Sequence, residues 1–462
     1  MIKYAISFLI CALLSINYIG IPFNVLPEQV YLLALGLGIA YIYPNIFGLY
    51  VVVGSILTAF VLPEFNNPYS IAQEYKLVAI LWLPVVLLAC WRSAGLGFLI
   101  TTIVFFLYAA FGYLLPEPFT AYKLNILKLS GFLILDSTSM LGTSLNIACT
   151  TVFIFILLGV FLQHINLTGV IDSWLIRKLA NTRANGAKVA ILSSAAFGMV
   201  SGSAVANVVA AGHMTIPLMI KTGYSRVVAA SIEAVSSTMG QVTPPVMGAA
   251  AFLMVSFTGV PYGEIALAAS IPAVLLYAML LLYVHFTSQK IIKLEVPTEK
   301  LKFPKLKSVI MDTAELMSQM IILGAVVGIL TGILDQTGIM FNLTNDLIRE
   351  AGSRGVSILV VTALSCLIMG LGMPTTTTYL LMAIMLGPSL VASGFDVLAS
   401  HLFILYYSCV SMVTPPVALA SMSAANIAGA NQTKTAIVSF IMSLPFMVIP
   451  FAFIYWPWLL LR

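Results

Sequence analysis

Charge is scarce. Only 8% of the 462 residues are Asp, Glu, Lys or Arg, against 61% that are hydrophobic. Soluble domains carry about 25% charged residues, so this chain cannot clothe itself for water. Cysteine and histidine are scarce too, at five and four. Cys11, Cys90, Cys149, Cys366 and Cys409 stand singly in apolar runs, with no CxxC pair and no metal spacing, and read as small buried hydrophobes. His213 and His401 have no second ligand at metal spacing and read as buried, hydrogen-bonded histidines. No HExxH and no paired intramembrane aspartates occur, which removes the usual equipment of a membrane protease or acyltransferase. No GxxxxGK[ST] loop occurs, which leaves no site for direct drive by ATP. The formal charge of +5 points to membrane orientation rather than to nucleic acid, because the basic residues lie between apolar runs.

What the chain has is apolar runs of spanning length, about 20 residues each, from end to end. The expected class is an all-α polytopic membrane protein. A transmembrane barrel would show alternating segments of about ten residues instead. The opening MIKYAISFLICALLSINYIG has the look of a signal peptide, but its length and the spans behind it read as an uncleaved first span. Five spans are expected at 4–20, 29–43, 46–62, 77–91 and 95–115, closing an N-terminal region 1–115. A more polar connecting segment, 116–144, follows. Region 145–287 holds a span (145–164), an amphipathic piece (168–181), a broken apolar stretch (187–222), a Thr-Pro-Pro segment (224–258) and a span (264–287). The segment 288–308 is a basic, solvated linker with six lysines, Lys290, Lys293, Lys300, Lys302, Lys305 and Lys307. Region 309–462 then repeats the order: a span (310–334), an amphipathic piece (338–350), a broken stretch (355–393), a second Thr-Pro-Pro segment (396–430) and a last span (434–461).

The repeat has a register. Pro217 and Pro388, Gly223 and Gly394, Thr243 and Thr414, Pro244 and Pro415, and Pro245 and Pro416 are each 171 residues apart. LTGV at 167–170 likewise echoes QTGI at 336–339. One offset held over dozens of residues marks an internal duplication. With the N-terminus inside and each broken stretch folded as a hairpin, 15 of the Lys and Arg residues fall on the cytoplasmic side and 6 outside. That bias satisfies the positive-inside rule and leaves the C-terminus outside. Each half then crosses three times, so the second half is inverted. Inverted repeats with broken helices are the architecture of secondary transporters.

The breaks carry the chemistry. A proline removes a donor and clashes with the preceding turn, so a Pro pair frees carbonyls that hydrocarbon does not tolerate unless they are buried in protein or line a wet cavity. Ser236, Ser237, Thr238, Gly240, Gln241 and Thr243 precede the first pair, and Ser408, Ser411 and Thr414 the second. Hydroxyls and carbonyls make a hard oxygen shell suited to a small hard cation, Na⁺ foremost. The broken stretches supply a second wall: Ser201, Gly202, Ser203 and Asn207 in one, Gly370, Gly372, Pro374 and Thr375 to Thr378 in the other. Helices starting at such tips aim their positive ends at a cavity and can hold an anion where no Lys or Arg lies mid-membrane. Any single hydroxyl here reads first as helix-packing glue; it is the duplicated constellation that points to a site. Glu233, an acid in an apolar run, reads as a proton or ion relay or as an acid paired with a hydroxyl. Its counterpart is Ile404, so it stands outside the duplicated set. Asp335 reads as a helix-end residue near the membrane surface.

With SGSAVANVV, MIKTGY, QVTPPVMGAAAFLM, LGMPTTTTYL, HLFILYY and VTPPVALA in this order, the chain resembles the large membrane subunit of tripartite ATP-independent periplasmic (TRAP) transporters over about residues 130–460. It looks most like the TAXI branch, in which small and large membrane subunits are often fused; residues 1–115 would be the fused small-subunit part. The resemblance implies an elevator-type, Na⁺-coupled importer in the inner membrane, related to the wider ion transporter superfamily. Two hairpins and two broken helices would form a mobile transport domain. A TAXI-type extracytoplasmic binding protein would deliver a small organic acid. No other cofactor and no nucleic acid are implied. Na⁺ would sit between each hairpin tip and its facing break. That maps one site to Ser201, Gly202, Ser203, Asn207, Ser237, Gly240 and Thr243, and the other to Gly372, Pro374, Thr375, Thr376, Ser411 and Thr414. Ser203, Asn207, Thr376 and Thr377 would face the substrate. A stand-alone Na⁺- or H⁺-coupled carrier needing no binding protein, and a channel, are the competing readings.

Overall fold

The structure is a computed structural model that describes residues 2–19, 27–61, 73–117, 119–136, 138–179, 181–182, 184–287, 300–339, 355–371 and 373–462. All regular structure among the described residues is helical. In chain order the helices are α1 (Ile2–Ile19), α2 (Pro27–Ile42), α3 (Ile46–Val61), α4 (Gln73–Phe111), α5 (Ile126–Leu135), α6 (Thr143–Ile147), α7 (Phe153–His164) and α8 (Leu167–Leu179). Next come α9 (Asn185–Ser201), α10 (Ala204–Lys221), α11 (Arg226–Met239), α12 (Ala249–Thr258), α13 (Tyr262–Thr287) and α14 (Leu306–Thr337). The remainder are α15 (Val356–Met369), α16 (Thr375–Ala392), α17 (Val397–Val410), α18 (Leu419–Ala428), α19 (Gln432–Met442) and α20 (Leu444–Tyr455). Five of the described segments are long and apolar enough to cross a bilayer alone: Ala204–Lys221, Tyr262–Thr287, Leu306–Thr337, Thr375–Ala392 and Gln432–Tyr455.

Helices occupy nearly all the segments expected to span, with two differences. Segments 77–91 and 95–115 meet in α4 at a kink at Gly95, whose φ of 85° glycine accepts without penalty. The connecting segment 116–144 is not simply polar: Asn125 caps α5 by accepting from the amides of Leu127 and Lys128, and six of the ten residues of α5 are buried. The last span is interrupted at Ser443, whose amide reaches Ser439 O and Phe440 O, because Pro445 can begin a helix but not continue one. The second amphipathic piece, 338–350, lies almost wholly outside the described residues, as do Lys290 and Lys293 of the linker.

The chain folds as two compact units. One comprises Met1–Leu158 with Lys305–Ser353, the other Gly159–Pro304 with Arg354–Arg462. In the first unit α14 is the central rod. Gly324, Gly328 and Gly332, one helical turn apart, form a stripe against which the segment Ser139–Leu145 lies flush. Ser139 Oγ ties this contact, its one hydrogen shared between Leu133 O (3.0 Å) and Gly328 O (3.2 Å). A methyl at Gly328 would land on the Ser139 carbonyl. Gly328→Ala should therefore cost about 1–3 kcal/mol, read as a lowered thermal midpoint of the detergent-solubilised protein; an unchanged midpoint would contradict the close approach.

The second unit holds both hairpins and both broken helices, and in it the 171-residue register becomes architectural. Helix α10 (204–221) corresponds to α16 (375–392) and α11 (226–239) to α17 (397–410), while α9 and α15 begin at 185 and 356. The single turns of 3₁₀ helix that follow, Gly240–Val242 and Ser411–Val413, correspond as well. The peptides Pro244–Pro245 and Pro415–Pro416 are both cis. At 14 and 10 residues, α11 and α12 rise about 21 and 15 Å. Each alone falls short of the ~30 Å hydrocarbon core.

The candidate ion and substrate site

Hairpin 1 is built from α9 and α10. Helix α9 ends on Gly202, at φ 63°, whose amide returns to Gly198 O. Ser203 then caps α10, its hydroxyl accepting from the Ala206 amide at 3.4 Å. The hairpin straddles break 1. On one side of the Pro pair Gly198 meets Gly240 backbone to backbone: a Cβ on Gly198 would lie 2.7 Å from Gly240 Cα, and one on Gly240 2.6 Å from Gly198 Cα. On the other side a Cβ on Gly202 would meet Met247 O at 2.9 Å. Only glycine permits this approach, and it brings the tip of the hairpin onto the break.

Asn207 stands at this junction, fully buried. Its Nδ2 donates to Ser194 O across the hairpin (2.8 Å), while its Oδ1 has no hydrogen-bond partner. The amide group of Gln241, inside the break and 3% exposed, likewise leaves Nε2 unpartnered. Buried polar atoms without partners are rare and costly, so each of these marks a place that fits a polar ligand. The two differ in kind. A carbonyl oxygen suits a cation, an amide N–H₂ an anion.

The carbonyls around the Pro pair are largely occupied by the chain itself. Thr243 Oγ1 donates to Met239 O (2.8 Å), Tyr277 OH to Ser236 O (3.1 Å), and Tyr262 OH to Pro245 O (2.8 Å). Gln241 O accepts from the Gly248 amide at 2.7 Å. A carbonyl oxygen has a second lone pair and a hydroxyl oxygen keeps its own. Thr243 thus remains able to ligate a cation, its proton already placed.

Hairpin 2, from α15 and α16, repeats the plan with other residues. Its turn closes through Met373 N to Gly370 O, and Pro374 opens α16. Thr377 Oγ1 (2.7 Å) and Thr378 Oγ1 (3.2 Å) both donate to Pro374 O. Thr375, buried, has an unpartnered hydroxyl, and Thr376 is half-buried. Ser411 packs directly on Gly370 and donates to Ser408 O (2.8 Å). Thr414 Oγ1 donates to Val410 O (2.8 Å), matching the Thr243 bond in the other repeat.

Of the first expected set, the structure brings Asn207 and Gly240 together beside Gly198 and sets Gly202 against Met247 O on the far side of the Pro pair, while Thr243 lies within the break. Ser203 caps the tip and is exposed. Ser237 turns elsewhere: its hydroxyl donates to Glu233 Oε1 (3.0 Å), which places it in a separate carboxylate cluster. The side chain of Ser201 lies outside the described residues. Of the second set, Pro374, Thr375 and Thr376 lie in the opening turn of α16, Ser411 lies against Gly370 and Thr414 bonds back to Val410 O, while Gly372 lies outside the described residues. The sequence reading missed the roles of Ser194, Thr215, Tyr262 and Tyr277. Each acts across 16 to 41 residues of chain, and a lone hydroxyl in an apolar run carries no spacing signal.

Two helical hairpins of one unit, the first set against the Pro244–Pro245 segment at Gly198 and Gly202 and the second with Gly370 against Ser411, frame the candidate site of this all-α membrane protein. Residues 81–300 and 289–461 match the family described as the tripartite ATP-independent periplasmic transporter, DctM component. The match spans well over half of the chain, which therefore belongs to that family: it is a TRAP-type secondary transporter component, not an enzyme. No curated protein matches the chain.

Proposed function

We propose that the protein imports a small organic acid anion together with Na⁺, taking the anion from a TAXI-type extracytoplasmic binding protein in the inner membrane. The observation that carries the reading is the unpartnered, buried Asn207 Oδ1 at the Gly198–Gly240 contact. Na⁺ is held there by Asn207 Oδ1, Thr243 Oγ1 and carbonyls of the 240–243 turn. A second Na⁺ is held at Thr375, Thr376, Ser411 and Thr414. The substrate carboxylate meets the Gln241 amide, the exposed tip at Ser203, and the Thr376–Thr377 turn at the start of α16. The second unit moves as the elevator car, and the inverted halves present the same site to either side. Residues 1–80 lie outside the family match, and α1 to α3 take the place of the small membrane subunit. The N-terminus is cytoplasmic and the C-terminus external.

Thermal stability of the purified protein tests the cation reading without any substrate. Na⁺ should raise the unfolding midpoint and K⁺ at equal ionic strength should not, since a ligand bound only by the folded state stabilises it. Equal shifts by both ions would contradict the site. Thr243→Val and Thr414→Val remove one ligating oxygen each while keeping shape. Each should weaken the Na⁺ response about three- to tenfold in apparent affinity.

A further inference from the structure

Glu233 lies wholly buried in α11 at the centre of three hydroxyls from three helices. Ser194 Oγ of α9 lies 2.6 Å from Oε1, Ser237 Oγ of α11 lies 3.0 Å from Oε1, and Thr215 Oγ1 of α10 lies 2.6 Å from Oε2. A buried carboxylate needs either donors or a proton. This cluster is arranged for both. Thr215 Oγ1 also lies 3.0 Å from Ala211 O, yet a hydroxyl has one hydrogen to give. When Glu233 is ionised, Thr215 gives that hydrogen to Oε2. When Glu233 is neutral, Oε2–H donates to Thr215 Oγ1, and Thr215 turns its hydrogen to Ala211 O. Ser194 and Ser237 donate to Oε1 throughout. One proton is gained or lost, every polar group stays bonded, and no heavy atom has to move.

The internal repeat supplies a control. Ser194 and Ser237 have serine counterparts at Ser365 and Ser408, but Glu233 and Thr215 correspond to Ile404 and Leu386. The acid and the one hydroxyl able to reverse its bond occur together in the first repeat and are absent together from the second. The two serines are thus common to both halves, and the acid–threonine pair is an addition to one.

The surrounding charges do not neutralise the carboxylate. Asp172 of α8, hydrogen-bonded to Ser193 beside Ser194, is an acid of the same sign, and Tyr277 of α13 is a neutral phenol donating to Ser236 O. Lys188 of α9 is engaged with His285 of α13 at 3.0 Å. His213 and Lys221 of α10, Arg226 at the start of α11 and Lys434 of α19 are exposed. His401 of α17 is taken up by Tyr379 at 3.0 Å, and α18 carries no ionisable side chain.

We propose that Glu233 is a proton-binding site of the transport unit, charged and discharged through Thr215, and that its occupancy makes import depend on pH. This rests on the transporter reading above and adds a second ligand, the proton, at a site separate from Asn207. The experiment is an infrared pH titration of the full chain in lipid nanodiscs, without substrate, binding protein or ion gradient. A buried carboxyl C=O band should rise and fall reversibly with pH in the wild type and be missing in Glu233→Gln. Ser194→Ala removes a donor from the ionised form and should raise proton affinity about tenfold, which keeps the test decisive if Glu233→Gln fails to fold. In proteoliposomes, uptake by Glu233→Gln, at whatever level, should no longer vary with pH. A carboxyl band that never titrates, or that persists in Glu233→Gln, or a titration unmoved by Ser194→Ala, overturns the proposal even if uptake proves Na⁺-driven. A titrating Glu233 in a protein whose uptake ignores Na⁺ would instead overturn the cation reading and leave this one standing.

Discussion

Asn207→Leu should lower apparent Na⁺ affinity by about 100-fold and take uptake at ordinary Na⁺ concentrations close to background. Leucine has the same number and branching of side-chain heavy atoms as asparagine, so the fully buried position stays filled and the main loss is one of chemistry. Two things go: the Nδ2 bond to Ser194 O and the unpartnered Oδ1. A charge-assisted contact is worth roughly 1.5–3 kcal/mol, and roughly 2.7 kcal/mol corresponds to a hundredfold change in affinity. Asn207→Asp keeps an oxygen at the same place and should retain Na⁺ binding. Uptake measured against Na⁺ concentration separates the two variants, and equal behaviour of Leu and Asp would show that Oδ1 has no part in the site.

Gly240→Ala is the second large effect. Its methyl would lie 2.6 Å from Gly198 Cα, a distance that backbone cannot relieve by rotating a side chain. The hairpin and the break have to separate, at a cost of about 1–3 kcal/mol. Every oxygen that depends on their contact then loses its position. Uptake should fall at least about tenfold while the helix content of the purified protein is unchanged. Gly198→Ala should reproduce the defect from the opposite side. Gly54, whose Cβ would meet nothing within 4 Å, provides the control, and Gly54→Ala should be near neutral. If all three substitutions behave alike, the close approach is irrelevant to transport.

These predictions rest on a contact that the sequence announced only in part. Proline pairs in register at 244–245 and 415–416 are visible without a structure because proline has a fixed effect on a helix wherever it falls. The same holds for the repeat, whose offset sets the starts of α10 and α16, or of α11 and α17, to the residue. Asn207, Gly202, Gly240 and Thr243 stand out in the sequence as candidates because polar residues and glycines at a break have few other uses. Their partners do not. That Gly198 is the residue opposite Gly240, that Tyr262 and Tyr277 satisfy carbonyls of the break, and that Ser237 donates to Glu233 are consequences of tertiary packing. Helix α5 was hidden for a different reason. Its ILKLSGFLIL follows a run of Pro and polar residues, and a ten-residue apolar stretch is too short to stand out against a background already 61% hydrophobic. Glu233 was conspicuous, but its meaning came only with the three hydroxyls that surround it.

The central claim, cation-coupled import, is tested most directly by uptake of radiolabelled organic acids into proteoliposomes holding this chain. The cognate binding protein is added or omitted, with an inward Na⁺ gradient or an equal K⁺ gradient. The account predicts accumulation that needs both the binding protein and Na⁺, and that Asn207→Leu nearly abolishes. Accumulation that proceeds equally well in K⁺, or that is indifferent to the binding protein, would contradict it.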